Sequence, residues 1–131
     1  MSVINHTLGF QRILAHRAHQ ISEEGFSEAN DDAYKKGELA TAGYGYEWSA
    51  GVWRKFNSAP KDAPLDWPWD PSWFKSKGFC EDLIKAGALY MAEAERAERA
   101  GETGAQKMAQ SLVRHISGIL DYNIARELDK E

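Results

Sequence analysis

Two sets of charged residues are spaced as if each shared one side of a helix. Asp31, Lys35, Glu38 and Ala42 fall three or four apart in "DDAYKKGELATAG", and Asp82, Lys85 and Leu89 repeat that interval in "EDLIKAGALY". Side chains so spaced lie along one face of an α-helix. If the two faces meet, Lys35, Glu38, Asp82 and Lys85 form a mixed polar cluster, and burying such charges is costly unless they pair or hold something. Solvated side chains or surface ion pairs fit the same spacing. Between the two sets lies "DWPWDPSWFK", residues 66–75, which carries Trp67, Trp69, Trp73 and Phe74 on a proline-stiffened stretch. Its aromatic faces either plug the end of a bundle or close over a ligand as a lid, stacking on a base for roughly 1–3 kcal/mol.

Other chemistry is less marked. His16 and His19, with Gln20 and Glu23 nearby, could chelate a transition metal from one helix face. There is no HExxH, and without a third strong ligand solvent-facing histidines are the better reading. His6 and His115 have no partners that the sequence identifies, and no GxSxG-type signature supports a nucleophilic serine. The single cysteine, Cys80, excludes an intramolecular disulfide and a CxxC metal site.

The elements that must position these groups are helical. Phe10, Ile13, Leu14, Ala18 and Ile21 make one apolar face, predicting a first helix over 8–24 with Gly25 as its stop. Ser27 or Asn30 caps a second helix over about 31–48, opened by Asp31 and Asp32. Gly37, Gly43 and Gly45 weaken it, each by about 1 kcal/mol against alanine, so something close-packed is expected to compensate. Residues 49–78 hold all four prolines and no regular period, and predict a long loop. A third helix over 79–99 is apolar almost all round to Ala92 and charged from Glu93, as if emerging from its neighbours, with Gly101 beyond it. A stripe from Met108 through Leu112, Val113, Ile116, Leu120 and Ile124 to Leu128 predicts a fourth over 104–128. The expected fold is one all-α domain over residues 1–131, a four-helix bundle with a Trp/Pro-rich loop between its second and third helices.

The chain's 131 residues suffice for one core. Sixteen Lys and Arg against twenty Asp and Glu, a net charge of −4, argue against duplex nucleic acid as a partner. No stretch of about 18 consecutive apolar residues is present, and "MSVINHTLGF" lacks the pattern of a secretory signal. The expectation is a cytoplasmic protein with no membrane partner.

The stretches "HRAHQISEEGF", "NDDAYKKGELATAGY", "WPWDPSWFK" and "DLIKAGALYMAEAERAER" together resemble a group of small phage and prophage proteins, over about residues 12–99. That resemblance implies the cytoplasm of an infected or lysogenic bacterial host. More distantly, the layout is similar to the MazG-like all-α nucleoside triphosphate pyrophosphohydrolases. These hold magnesium with EExxE on the second helix and ExxD on the third. Here Glu38 matches the last glutamate of the first motif, with Tyr34 and Lys35 in place of the first two. Asp82 stands at the glutamate of ExxD, and Lys85 replaces its aspartate. A hard divalent cation needs several oxygen ligands, so these replacements impair a metal centre. An ammonium at Lys35 or Lys85 could instead meet a phosphate directly.

The resulting expectation is a non-catalytic, cofactor-free protein that sequesters a nucleotide or nucleotide-derived defence signal. Its ligand-binding residues are Tyr34, Lys35, Glu38, Asp82 and Lys85, with Trp67, Trp69 and Trp73. The alternative is a pyrophosphohydrolase that binds Mg2+ or Mn2+ through Asp31, Asp32, Glu38, Glu81 and Asp82. A third reading is a protein-binding inhibitor that uses the aromatic patch. The apolar third helix and the MazG-like resemblance further imply a homo-oligomer, a dimer or higher, with the pocket at or near the interface.

Overall fold

The computed structural model describes residues 7–129, with side chains as far as Arg126. His6 and the side chain of Leu128 lie outside that range. The fold is all-α: α1 (Leu8–Glu23), α2 (Glu28–Asp32), α3 (Glu38–Phe56), α4 (Phe79–Ala100) and α5 (Thr103–Asp129), with a 3-10 turn at Pro71–Trp73. Among the described residues there is no strand, and no helix is long and apolar enough to cross a membrane.

The all-round apolar character of α4 makes it the central helix. It packs against α5, α3, α1 and α2, while α1 also packs on α5. Ile13 of α1, Leu39, Ala42 and Ala50 of α3, Leu83, Leu89 and Tyr90 of α4, and Ile116 and Leu120 of α5 are buried at the shared core. Each large aliphatic side chain buried this way contributes about 1.5–3 kcal/mol. α3 has only α4 as a substantial helical neighbour, so its far side is left to the loop and to solvent.

Two elements depart from expectation. The predicted second helix is two helices: α2 ends at Asp32, the chain turns through 33–36, and Gly37 at φ +82, a left-handed conformation outside the helical range, opens α3. Ser27 caps the short α2 by accepting from Asn30 N at 3.1 Å. α3 then runs eight residues past the expected end at 48, to a left-handed Asn57 with Arg54 and Lys55 in its last turn. The first proline is Pro60, so the residues from Ser49 to Phe56 had no reason to leave the helix. The loop is therefore 57–78. The glycines of α3 do have close neighbours: the Tyr90 ring lies directly on Gly43, and a Cβ at Gly45 would stand 3.3 Å from the Trp67 ring. Charged Glu93 and Arg96, expected on an emerging end, are buried together instead, with Arg96 Nε donating to Glu93 at 2.6 Å and its other nitrogens reaching Glu102.

Candidate functional site

The Trp/Pro-rich loop folds back over α3 and presents two different surfaces. On one, Phe74 stacks on Tyr46 with ring centroids 5.0 Å apart, and Trp67 meets Tyr46 edge-on at 5.5 Å and Phe74 at 5.1 Å. The Trp67 indole donates to Asp70 O at 3.1 Å, and Lys75 N donates to the Tyr46 hydroxyl at 3.0 Å. Burial pushes the Tyr46 phenol up to about 12. Asp82 secures the end of the loop. Its fully buried carboxylate accepts from Ser49 Oγ and Ser76 Oγ, both at 2.6 Å, and from Lys77 N at 2.8 Å. The Trp53 indole donates to the same Ser76 hydroxyl at 2.8 Å.

The other surface is open. Trp69 and Trp73 face Phe26 and Tyr34 across a cleft of about 490 Å3, with Glu24, Asn30 and Asp70 at its edge. That volume lies within the roughly 300–1,000 Å3 of small-molecule sites. Tyr34 and Trp69 touch at 5.2 Å between centroids. Phe26 is turned inward by the α1 stop, where Phe26 N and Glu24 N both donate to Gln20 O. Glu24, Phe26, Trp69 and Trp73 also line an adjoining inner pocket of about 70 Å3, together with His16, Gln20, Lys75 and Lys85.

The inner end is the more positive. Lys85 Nζ donates to Lys75 O and lies 5.2 Å from the centre of the Tyr46 ring. Burial lowers its pKa, with Lys77 adding to the effect and Asp82 and Glu24 opposing it. Burial likewise lowers the His16 pKa, against the pull of Glu24. Lys75 and Lys85 thus share the inner pocket with one carboxylate, Glu24, which also borders the outer cleft. In the wall, the Trp69 indole N–H is buried without an acceptor, a deficit worth about 1–3 kcal/mol unless water or a ligand supplies one.

Of the residues singled out in the sequence, Tyr34, Trp67, Trp69, Trp73 and Lys85 line this cleft or its adjoining pocket. Lys35, Glu38 and Asp82 do not. Lys35 is exposed, a Glu38 oxygen accepts from Lys36 N at 2.7 Å beside its own helix start, and Asp82 is enclosed by loop and α3 donors. The expected four-residue polar cluster does not assemble, because the break over 33–37 carries Lys35 off the helix that holds Glu38. The residues proposed for a divalent cation are also apart. Asp31 is clasped by Arg17 at 2.8 Å, Asp32 by Arg99 at 2.9 Å, and Glu81 lies exposed in the first turn of α4. Among the described residues no three His, Cys, Asp or Glu side chains come together as a metal-binding set. This donor arrangement does not fit a shared Mg2+ or Mn2+.

His16 and His19 both approach Glu24, at 3.8 and 3.6 Å, and not Glu23, while Gln20 turns to Arg17 at 3.4 Å. Glu24, Phe26, Asn30 and Lys75 are cleft residues that sequence reasoning passed over. The "EEGF" turn was their one signal, since a helix stop followed by an aromatic returns that ring toward the helix it leaves. What fold and cleft define together is an all-α chain with an aromatic-walled cleft beside a lysine-lined pocket. No protein-family model, curated protein or solved structure matches this chain.

Proposed function

We propose that this protein binds a nucleotide, or a small molecule derived from one, in the aromatic cleft and holds it without hydrolysis. The observation that carries the reading is that an outer cleft walled by Phe26, Tyr34, Trp69 and Trp73 shares Glu24, Phe26, Trp69 and Trp73 with an adjoining inner pocket lined by Lys75 and Lys85. A base would stack at the mouth and an anionic group would reach the two ammonium groups, which act as point charges and demand no fixed orientation. Retention without cleavage is supported by the carboxylates that a MazG-like centre would use, since Asp31, Asp32, Glu38 and Asp82 are each engaged in internal bonds. On the phage-type resemblance, holding without cleaving is what sequestration of a host defence signal requires.

The test is a titration of tryptophan fluorescence with nucleoside mono-, tri- and cyclic phosphates. Saturable quenching is expected, and Lys85→Met should weaken it by removing a cation of the inner pocket. Absence of any saturable change across the set would sink the reading.

The homo-oligomer belongs to the same proposal, as a two-fold dimer through the outer face of α3. Tyr44, Trp48 and Phe56 are about half exposed or more, and Leu65 stands wholly in solvent beside the Tyr44–Trp48 groove that it could fill on a second copy. Lys61, Asp62 and Asp66 give the rim both charge signs, as a self-complementary contact needs. Light scattering should give twice the chain mass, falling to one chain mass in Leu65→Asp. A monomeric mass for the unmodified protein at high micromolar concentration would refute the dimer.

A further inference from the structure

Resting on the nucleotide reading of the cleft, we propose that its mouth selects a ring offering two adjacent N–H donors, guanine ahead of adenine and the pyrimidines, with Glu24 as the selecting residue. The hydrogen-bond inventory of the mouth is rich in acceptors. Asn30 gives its Nδ2 to Gly25 O at 2.9 Å, which leaves the amide oxygen for a ligand. Asp70 accepts from Ser72, through its N at 2.9 Å on Oδ1 and through its side chain. Glu24 approaches the His16 and His19 rings at 3.8 and 3.6 Å, beyond hydrogen-bond length, and shares the inner pocket with Lys85, so its carboxylate keeps accepting capacity for a ligand. No lysine or arginine lines this outer part of the cleft. The side-chain donors there are the Tyr34 hydroxyl, the Trp73 indole, the second Asn30 Nδ2–H and the Trp69 indole, whose buried N–H has no partner.

A guanine edge presents N1–H and the 2-amino group side by side, which a carboxylate accepts as two parallel bonds. Its O6 and N7 are acceptors on the adjoining edge, of the kind the Trp69 N–H lacks. Adenine sets its single amino group next to a ring-nitrogen acceptor, whose lone pair would face a carboxylate oxygen. Stacking on Trp69, Trp73, Tyr34 and Phe26 serves any base, so the difference between bases falls to the edge contacts.

Calorimetric titration of the full chain with the 5′-monophosphates of guanosine, adenosine, cytidine, uridine and inosine tests this. Guanosine monophosphate should bind roughly tenfold or more tighter than adenosine monophosphate. Inosine monophosphate, which keeps N1–H but lacks the 2-amino group, should fall between them. Glu24→Gln, at a partly exposed position after the last turn of α1, should narrow the ratio of guanosine to adenosine monophosphate affinity with the helical circular dichroism intact. Equal affinity for guanosine and adenosine monophosphates, or for guanosine and inosine monophosphates, would overturn the assignment and leave nucleotide binding standing. Failure of all five to bind would overturn both.

Discussion

The Trp/Pro-rich segment has two sides that share a composition and differ in fate. Toward α3, Trp67 and Phe74 close on Tyr46, the Trp67 indole and the Tyr46 hydroxyl are hydrogen-bonded, and Asp82 accepts from three donors. Toward α2, Trp73 is 64% exposed, and the Trp69 indole N–H is buried with no acceptor. Satisfied polar groups and interlocked rings are what a structural plug needs. Flat faces left open beside an unmet donor and a half-buried cation, Lys85, are what a binding wall needs. The choice between plug and lid has no single answer for the segment as a whole, because successive tryptophans serve different sides.

Substitution should separate the two sides, beginning with the largest effect. Trp67→Ala removes a ring from the three-ring cluster with Tyr46 and Phe74 and should destabilise the fold by about 3 kcal/mol, read as a lowered urea midpoint. Asp82→Ala leaves Ser49, Ser76 and Lys77 N without their common acceptor and should cost about 2 kcal/mol in the same measurement. Trp73→Ala should do the reverse. Its stability should stay within about 0.5 kcal/mol of the parent, as for an exposed site, while nucleotide affinity falls by about 1–3 kcal/mol. If Trp73→Ala destabilises as much as Trp67→Ala, the two sides are not distinct.

Lys85 gives a pH test of the open side. Its folded pKa lies below the ordinary 10.5 because burial disfavours the charge. In the window between that lowered value and 10.5 the unfolded chain binds the extra proton, so this group's contribution to the stability of the unliganded fold rises with pH. An anion at Nζ favours the charged form, so nucleotide affinity should fall as pH climbs through the lowered pKa. The slope should vanish in Lys85→Met. The smallest expected effect is that of Lys35→Ala, which should change neither stability nor affinity, because Lys35 is exposed and lies outside the cleft.

The sequence foretold the long helices better than the site. Apolar period alone located α1, α4 and α5 to within a residue or so, since their faces bury against one another. The charge pattern misled where a backbone event intervened. Lys35 and Glu38 share a face only if the helix is continuous, and the turn through 33–36 with Gly37 at φ +82 ends that continuity. Asp82 looked like a site residue by spacing, yet the loop that returns over it supplies the donors, and the path of a loop is not encoded in period. Glu24 and Phe26 were illegible for a related reason. Their role depends on the chain reversing at Gly25 and meeting Trp69 and Trp73, more than forty residues downstream. Lys85 and the tryptophans were recoverable because a cation and aromatics close to a loop need only the loop's approach to meet.

The most direct measurement is to incubate the purified protein with mono-, tri- and cyclic nucleotides and magnesium, isolate it, and identify by mass spectrometry what it carries and what has been converted. Binding without hydrolysis predicts an intact nucleotide, released only on denaturation and absent from the Trp73→Ala protein. Protein that carries no nucleotide, or a solution that accumulates monophosphate and pyrophosphate, would contradict it.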